Sequence, residues 1–275
     1  MDADAAVYTH GHHESVLRSH SWRTAENSAA YLLPRLHPGA TVLDVGCGPG
    51  TITAGLAALV APGRVVAIDP AEDAVAATRA VAAARGLTTV EATRATLADW
   101  AAQEDGRAAY DVVHAHQVLQ HLADPVIALR QLAQLTRPGG LVAVRDSDYA
   151  GFSWYPQLPE LDEWLALYQR AARANRGEPD AGRRLLAWAR RAEVFAEITP
   201  SASIWCFATA EDRAWWGGMW ADRILHSAMA TQLLAAGWAT ASDLHRISEA
   251  WSAWAADADG WFAIPHGELV CRLPG

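Results

Sequence analysis

The chain has 275 residues, 51% of them hydrophobic and 19% charged, which describes a packed globular protein rather than a disordered one. A formal net charge of −9 argues against a nucleic-acid surface, which shows as a basic patch. Cys47, Cys206 and Cys271 are too few and too scattered for a disulfide framework, and no C-x-x-C pair offers a metal site.

From the N-terminus, Met1 to Ser15 lacks the basic-then-apolar order of a signal peptide, and no stretch reaches the roughly 18 apolar residues of a membrane span. The expected location is cytoplasmic. Residues 1–40, rich in histidine and arginine, look helical. TVLDVG (41–46) reads as a strand and TITAGLAALV (51–60) as a helix, with Ile52, Leu56 and Leu59 on one face. RVVAID (64–69) is the next strand. AEDAVAATRAVAAAR (71–85) is a helix with acids in its first turn and Gly86 behind it. TTVEAT (88–93) and DVVHAH (111–116) are further strands. Asp124-Pro125 opens the helix VIALRQLAQLT, which ends before the strand LVAVRD (141–146). Repeated strand–helix–strand units give an α/β fold, a parallel sheet wrapped by helices.

After Tyr149 the character changes. Helices are expected over 158–175 and 181–192 and a strand over 201–208. Two long helical runs, 210–236 and 241–256, open on the capping-box patterns Thr209-x-x-Asp212 and Thr240-x-x-Asp243. WFAIPHGELVCRL (261–273) reads as a last strand or strand pair, interrupted at Pro265 and Gly267. Three regions follow: an N-terminal helical segment (1–40), an α/β core (41–150), and C-terminal strands with a tryptophan-rich helical cap (151–275).

The turn Gly46-Cys47-Gly48-Pro49-Gly50 between the first strand and first helix suits a nucleoside or phosphate. It does not meet the dinucleotide pattern G-x-G-x-x-G, because Thr51 stands where the third glycine belongs, and no lysine follows to make a phosphate loop. Asp44, two residues before the first glycine, repels a pyrophosphate but suits a cationic ligand. Nineteen residues past Gly50, the second strand ends in Asp69, placed to bind two ribose hydroxyls. A positively charged nucleoside without phosphate describes S-adenosylmethionine.

D-V-G-C-G-P-G-T resembles motif I of the class I S-adenosylmethionine-dependent methyltransferases. Tyr110 to Tyr149 resembles their fourth and fifth strands, in the style of the ubiquinone/menaquinone-biosynthesis methyltransferases, and the resemblance spans about residues 8 to 150. It implies a Rossmann-like doubly wound sheet of seven strands, mostly parallel with the last antiparallel, under N-terminal lid helices and an inserted helical cap. It also implies S-adenosyl-L-methionine as cofactor and S-adenosyl-L-homocysteine as product. The implied cofactor contacts are Asp44, Gly46, Cys47, Gly48, Gly50 and Thr51, then Asp69, Pro70, Thr96 and Leu97, then Ala115, His116 and Gln117. Tyr8 would cover the ligand and Arg23 would pair with the methionine carboxylate. Family members carry a Gly-Asp pair after the third strand to bind the adenine amino group. Here Ala95-Thr96 stands in its place, with the Thr96 hydroxyl or Asp99 as substitutes.

Methyl transfer requires an in-line nucleophile, water kept out, and often a base. His116 is the first candidate base, against a plain packing role beside the cofactor, and Asp148 is the second, against an arginine-paired loop acid. His121 is expected to be structural. His10, His12, His13 and His20 invite a metal reading, but they lack an acid or cysteine partner and the chemistry needs no metal, so a lid is expected and no metal site. Of 13 tryptophans, eleven lie between Trp154 and Trp261, so the cap is expected to be aromatic, part core and part pocket. His13, Gln120, Tyr149, Trp154 and Tyr155 are the expected substrate contacts. The expected function is methyl transfer to a small, largely apolar or aromatic molecule. A quinone-ring C-methyltransferase, or a cyclase or regulatory scaffold of this fold without transfer, is the alternative. No nucleic-acid partner is expected; acceptor atom (O, N or C) and a homodimeric state are left open by the sequence.

Overall fold

Residues 22–103 and 108–275 are described by this computed structural model. The chain enters through a single helical turn, α1 (Ala25–Ser28), capped by Thr24, before the all-buried strand β1 (Val42–Val45). Parallel pairing on either side of β1 adds β2 (Val65–Asp69) and β4 (Tyr110–His116), then β3 (Val90–Arg94) and β5 (Thr136–Ser147) outside them. Parallel neighbours need crossovers. These are α2 (Thr51–Val60), α3 (Glu72–Ala84), α4 (Leu97–Ala101) and α5 (Pro125–Leu135). Asp124 caps α5 by accepting from the Val126 and Ile127 amides, with Pro125 at the first helical position, as its sequence pattern requires.

Side chains alternate along each strand and so fill two layers. Leu43, Val45, Val66 and Ile68 pack with residues of α4, α5 and α7 (Leu185–Ala192) on one face. Val42 and Val65 pack with Ala25, Leu56, Ala57 and Val60 of α1 and α2 on the other. With β6 (Ser153–Tyr155), β7 (Glu197–Phe207) and β8 (Trp261–Arg272), the strand order is β3-β2-β1-β4-β5-β8-β6, and β7 also pairs with β8. The order reverses between β1 and β4, which opens a crevice at the carboxyl ends of the strands.

The sheet has eight strands among the described residues, one more than the sequence suggests, because a short β6 (Ser153–Tyr155) continues the edge that β5 leaves. β8 runs antiparallel to β5 through its residues Arg272–His266 and to β6 through Ala263–Trp261. Pro265 falls at the junction. Its carbonyl accepts from the Asp148 amide at 3.0 Å, so its missing N–H, on the same edge, faces the intervening turn rather than a ladder. β8 is therefore one continuous strand, not an interrupted pair.

Above the crevice sit α6 (Pro159–Ala174), α8 (Ala210–His226), α9 (Ala228–Ala235) and α10 (Ala241–Ala256). Their core is Trp164, Trp220, Trp251 and Trp254, all fully buried around Phe262 of β8. Both expected capping boxes form, at Thr209 and Thr240. The single helix expected over 210–236 is broken at Ser227, which is extended and turns its hydroxyl to the Ala230 amide, capping α9 while ending α8.

Candidate active site

The turn after β1 is built from left-handed backbone: Gly46, Gly48 and Gly50 have φ of +71°, +54° and +80°. At Gly50 a Cβ would meet the Thr78 backbone at 2.7 Å, so glycine is required there on two counts. The loop's amides are already committed. Those of Gly46 and Cys47 donate to the Ile68 carbonyl, that of Gly48 to Asp69 Oδ2 at 3.1 Å, and that of Gly50 to the Cys47 carbonyl. A loop whose N–H groups are spent on protein acceptors is not an anion cradle. The four committed amides leave a phosphate few donors in the turn itself, beside the repulsion from Asp44.

Asp44 is 3% exposed and accepts from Thr53 Oγ1 at 2.6 Å and bonds His114 Nδ1 at 2.8 Å. Asp69 is held from both sides, by the Gly48 amide and by the Ala71 amide at 2.9 Å, which fixes its carboxylate at the end of β2. Burial and the neighbouring Asp44 push the Cys47 thiol well above its usual range, so it is a packing residue rather than a nucleophile. After β3, Thr96 caps α4: its hydroxyl accepts from the Asp99 amide and donates to the Asp99 carboxylate at 2.7 Å. The two substitutes considered for the adenine acid are thus one hydrogen-bonded unit.

These residues border one cavity of about 830 Å³, toward the upper part of the range for small-molecule sites. Its wall includes Asp44, Gly46, Cys47, Gly48, Thr51, Asp69, Pro70, Thr96 and Leu97 on one side, and His116, Gln117, Gln120, His121 and Tyr149 in the middle. Trp205, Trp215, Trp216, Trp220 and Arg223 close the other side. His116 is 5% exposed, and neither ring nitrogen has a partner among the described residues. Desolvation, reinforced by the positive charge of Arg145 and Arg23, holds it well below the ordinary histidine range, so the ring is neutral. Burial likewise pushes His121 down to about 3, with Arg23 adding to the effect. Gln117, in the left-handed region at φ +54°, donates its amide to Ser147 Oγ at 2.7 Å and meets His266 Nε2 at 3.0 Å. The other His266 nitrogen lies 3.0 Å from the Ile264 carbonyl. That pattern puts the His266 proton on Nδ1 and leaves Nε2 to accept from Gln117, so the Gln117 amide is pinned.

Several expected site residues lie elsewhere. Asp148 is not on the cavity wall. Both its oxygens accept from Arg183 Nε at 2.8 Å, so its carboxylate is neutralised in an ion pair and not poised as a base. Trp154 is 6% exposed and stacks on Phe262 at 5.7 Å, a core ring, while Tyr155 is 57% exposed and is not on the wall of this cavity. Gly50 and Ala115 lie behind the wall, as the helix cap and a fully buried strand residue. Tyr8 and His13, with His10, His12 and His20 of the expected lid, lie outside the described residues. Arg23 and Trp22 are on the wall: Trp22 stacks on Trp215 at 5.5 Å and the Asn27 carbonyl accepts from Trp205 Nε1 at 2.7 Å. Trp205 and Arg223 were missed. Alternation with Phe207 on a strand, and the 216-220-223 spacing on one helix face, were the available signals.

Residues 43–142 match a methyltransferase domain family. An uncharacterized methyltransferase of Schizosaccharomyces pombe is 35% identical over 98% of this chain and 97% of its own length. This chain belongs to the class I S-adenosylmethionine-dependent methyltransferase family. A probable methyltransferase of Aspergillus luteorubrus is 28% identical over 96% of both chains. Among solved structures, the YcgJ protein of Bacillus subtilis superposes with a TM-score of 0.58 at 15% identity, over 91% of this chain and 99% of its own. A phosphoethanolamine N-methyltransferase of Haemonchus contortus, in complex with phosphomonomethylethanolamine and S-adenosylhomocysteine, gives 0.56 at 15% identity over 90% of this chain and 52% of its own. These two likenesses are of fold.

Proposed function

We propose that this methyltransferase binds S-adenosylmethionine in the half of the cavity bordered by β1, β2 and α4, and methylates a small, largely apolar or aromatic molecule held under the tryptophan cap. The observation that carries the reading is that one cavity brings together a glycine turn with committed amides, a fixed carboxylate at Asp69, and a wall of indole rings opposite. Such a turn admits a nucleoside and a cation, and its four committed amides leave a phosphate few donors. The Haemonchus contortus neighbour, which holds S-adenosylhomocysteine, is consistent with this use of the fold.

The cofactor supplies a methyl group on a sulfonium, which an electron pair of the acceptor takes while the C–S pair stays on sulfur. The chain's part is to hold and dry the reacting groups. Asp69 accepts from the ribose hydroxyls, and Asp44 sets a negative potential beneath the turn. The Thr96–Asp99 unit faces the adenine side. His116, neutral and without a partner among the described residues, accepts a hydrogen bond from the acceptor or a proton released by it. Gln117, pinned by Ser147 and His266, presents its carbonyl oxygen in a fixed orientation.

Calorimetry with S-adenosylhomocysteine and with NAD tests the cofactor: a one-to-one complex with the first and none with the second is expected, and the reverse overturns the proposal. Transfer from isotope-labelled methyl donor to a panel of aromatic phenols, acids and amines tests turnover. Binding without any labelled product would favour the non-transferring scaffold.

A further inference from the structure

At the end of β4 the backbone of Gln117 turns left-handed at φ +54°, a conformation that a residue with a Cβ holds only when its surroundings fix it. Those surroundings are β5 and β8. The Gln117 N–H donates to the Arg145 carbonyl at 2.7 Å, and the side chain reaches Ser147 at the end of β5 and His266 on β8. Both strands lie on the far side of β4 from β1 and β2, whose ends border the cofactor half. The side chain is thus turned away from Asp44 and Asp69 and toward the part of the wall formed by Phe152, Trp205 and Ile264. Its hydrogen bonds can be counted. Burial, reinforced by the charges of Arg145 and Arg23, keeps His266 neutral, and the Ile264 carbonyl takes its Nδ1 proton, so Nε2 accepts. One amide hydrogen of Gln117 goes to that Nε2 at 3.0 Å and the other to Ser147 Oγ at 2.7 Å. No donor remains on the side chain, and Oε1 has no partner among the described residues. The neighbouring Gln120 is spent differently: its oxygen takes the Ser147 amide at 3.2 Å and its nitrogen meets His121 Nε2 at 3.0 Å.

Resting on the methyltransferase reading above, we propose that the acceptor molecule is an aromatic compound carrying a neutral O–H or N–H group, and that Gln117 selects it by accepting a hydrogen bond from that group at Oε1. A fixed acceptor beside apolar side chains loses its water when a ligand enters, so a ligand without a donor leaves it unmatched. A carboxylate or an ether at the same place sets oxygen against oxygen. Pinning sharpens the choice. A free amide can rotate to offer its NH2 group instead, and this one is held by Ser147 and His266 with its oxygen outward.

The test compares two ligands of nearly equal shape, 2-naphthol and 2-fluoronaphthalene, titrated by calorimetry into the full chain with and without saturating S-adenosylhomocysteine. Naphthol should bind at least about tenfold more tightly, about 1.4 kcal/mol. Equal affinities, tighter binding of the fluoro compound, or no binding of either would overturn the proposal, and this arm needs no variant. Gln117→Met, of similar length, should reduce the preference to about twofold or less while S-adenosylhomocysteine affinity stays within about twofold of wild type. A preference that survives in a folded Gln117→Met chain removes Gln117 from the assignment. A large loss of S-adenosylhomocysteine affinity in that variant removes it too, because Oε1 then serves the cofactor. Ser147→Ala frees the amide to turn and should narrow the preference at least about threefold; an unchanged preference overturns the pinned geometry. Naphthol preference in a wild-type chain that binds no S-adenosylhomocysteine counts against the cofactor reading instead, and leaves the Gln117 assignment standing.

Discussion

Asp69 shows how much a single side chain can be made to do by its neighbours. Two backbone amides already orient its carboxylate, so little rotamer freedom is lost when hydroxyls arrive. Asp69→Ala should weaken S-adenosylhomocysteine binding at least about fivefold by calorimetry, about 1 kcal/mol; a smaller loss removes it as the ribose ligand. A second buried acid gives a pH signature. Asp146 accepts from the Gln120 amide at 3.1 Å, its Oδ2 has no partner among the described residues, and burial pushes its carboxyl up to about 7. Its unfolded value is near 3.9, so between about pH 4 and pH 7 the folded chain binds the extra proton. Stability from this group is therefore greatest below about pH 4, falls as pH rises to about 7, and is level above. Asp146→Asn, a neutral isostere, lacks that slope. Urea midpoints at pH 5 and pH 8 should show the variant gaining on the wild type at the higher pH, and parallel midpoints would show that Asp146 is ionised throughout. At this scale Asp69 was legible because its position follows from strand length and spacing. For Asp148 it is the arginine-paired alternative that the geometry matches, but which arginine pairs was not legible, because Arg183 is 35 residues away and no local pattern announces the pair.

Elements meet where backbones can approach, and Gly182 with Gly267 marks the tightest such place. A Cβ on Gly267 would stand 2.0 Å from the Gly182 carbonyl oxygen, so the 182–184 turn lies directly on β8. Gly267→Ala must push the two backbones apart, and should lower the unfolding free energy by at least about 2 kcal/mol in urea titration. A loss under about 0.5 kcal/mol would mean that the contact relaxes freely. The caps make the opposite point. Thr240 closes a full capping box on α10, the helix that carries Trp251 and Trp254 into the core. Thr240→Ala should cost about 1 kcal/mol, read as a lower midpoint at an unchanged m value. Both boxes were legible as four-residue patterns. The break at Ser227 was not, because helix formers lie on both sides of it and a lone serine inside such a run is not marked out as a cap by any proline or glycine beside it.

At the scale of the whole molecule three large apolar clusters are stacked, one on each face of the sheet and one in the tryptophan cap, with a small fourth at Cys47, Ala67, Val75 and Ala92. The parallel half was legible because strands buried on both faces read as continuous apolar runs between helices. The antiparallel half was legible only in outline. β6, β7 and β8 find one another across long separations, and a three-residue strand carries no periodicity of its own. The cavity lies where the sheet and the cap meet, with one wall from each, so a ligand there touches both bodies at once. A ligand that binds only the closed, folded arrangement should stabilise the two together. With S-adenosylhomocysteine at about 100 times its dissociation constant, unfolding should become harder by about 2.7 kcal/mol. Two probes separate the parts. Tryptophan emission reports chiefly the cap, since eleven of the 13 tryptophans lie between Trp154 and Trp261, and far-ultraviolet dichroism reports all helices and strands. Both curves should coincide and shift by the same amount. If dichroism shifts while the emission midpoint stays fixed, the ligand is held by the sheet alone, and the indole wall takes no part in forming the site.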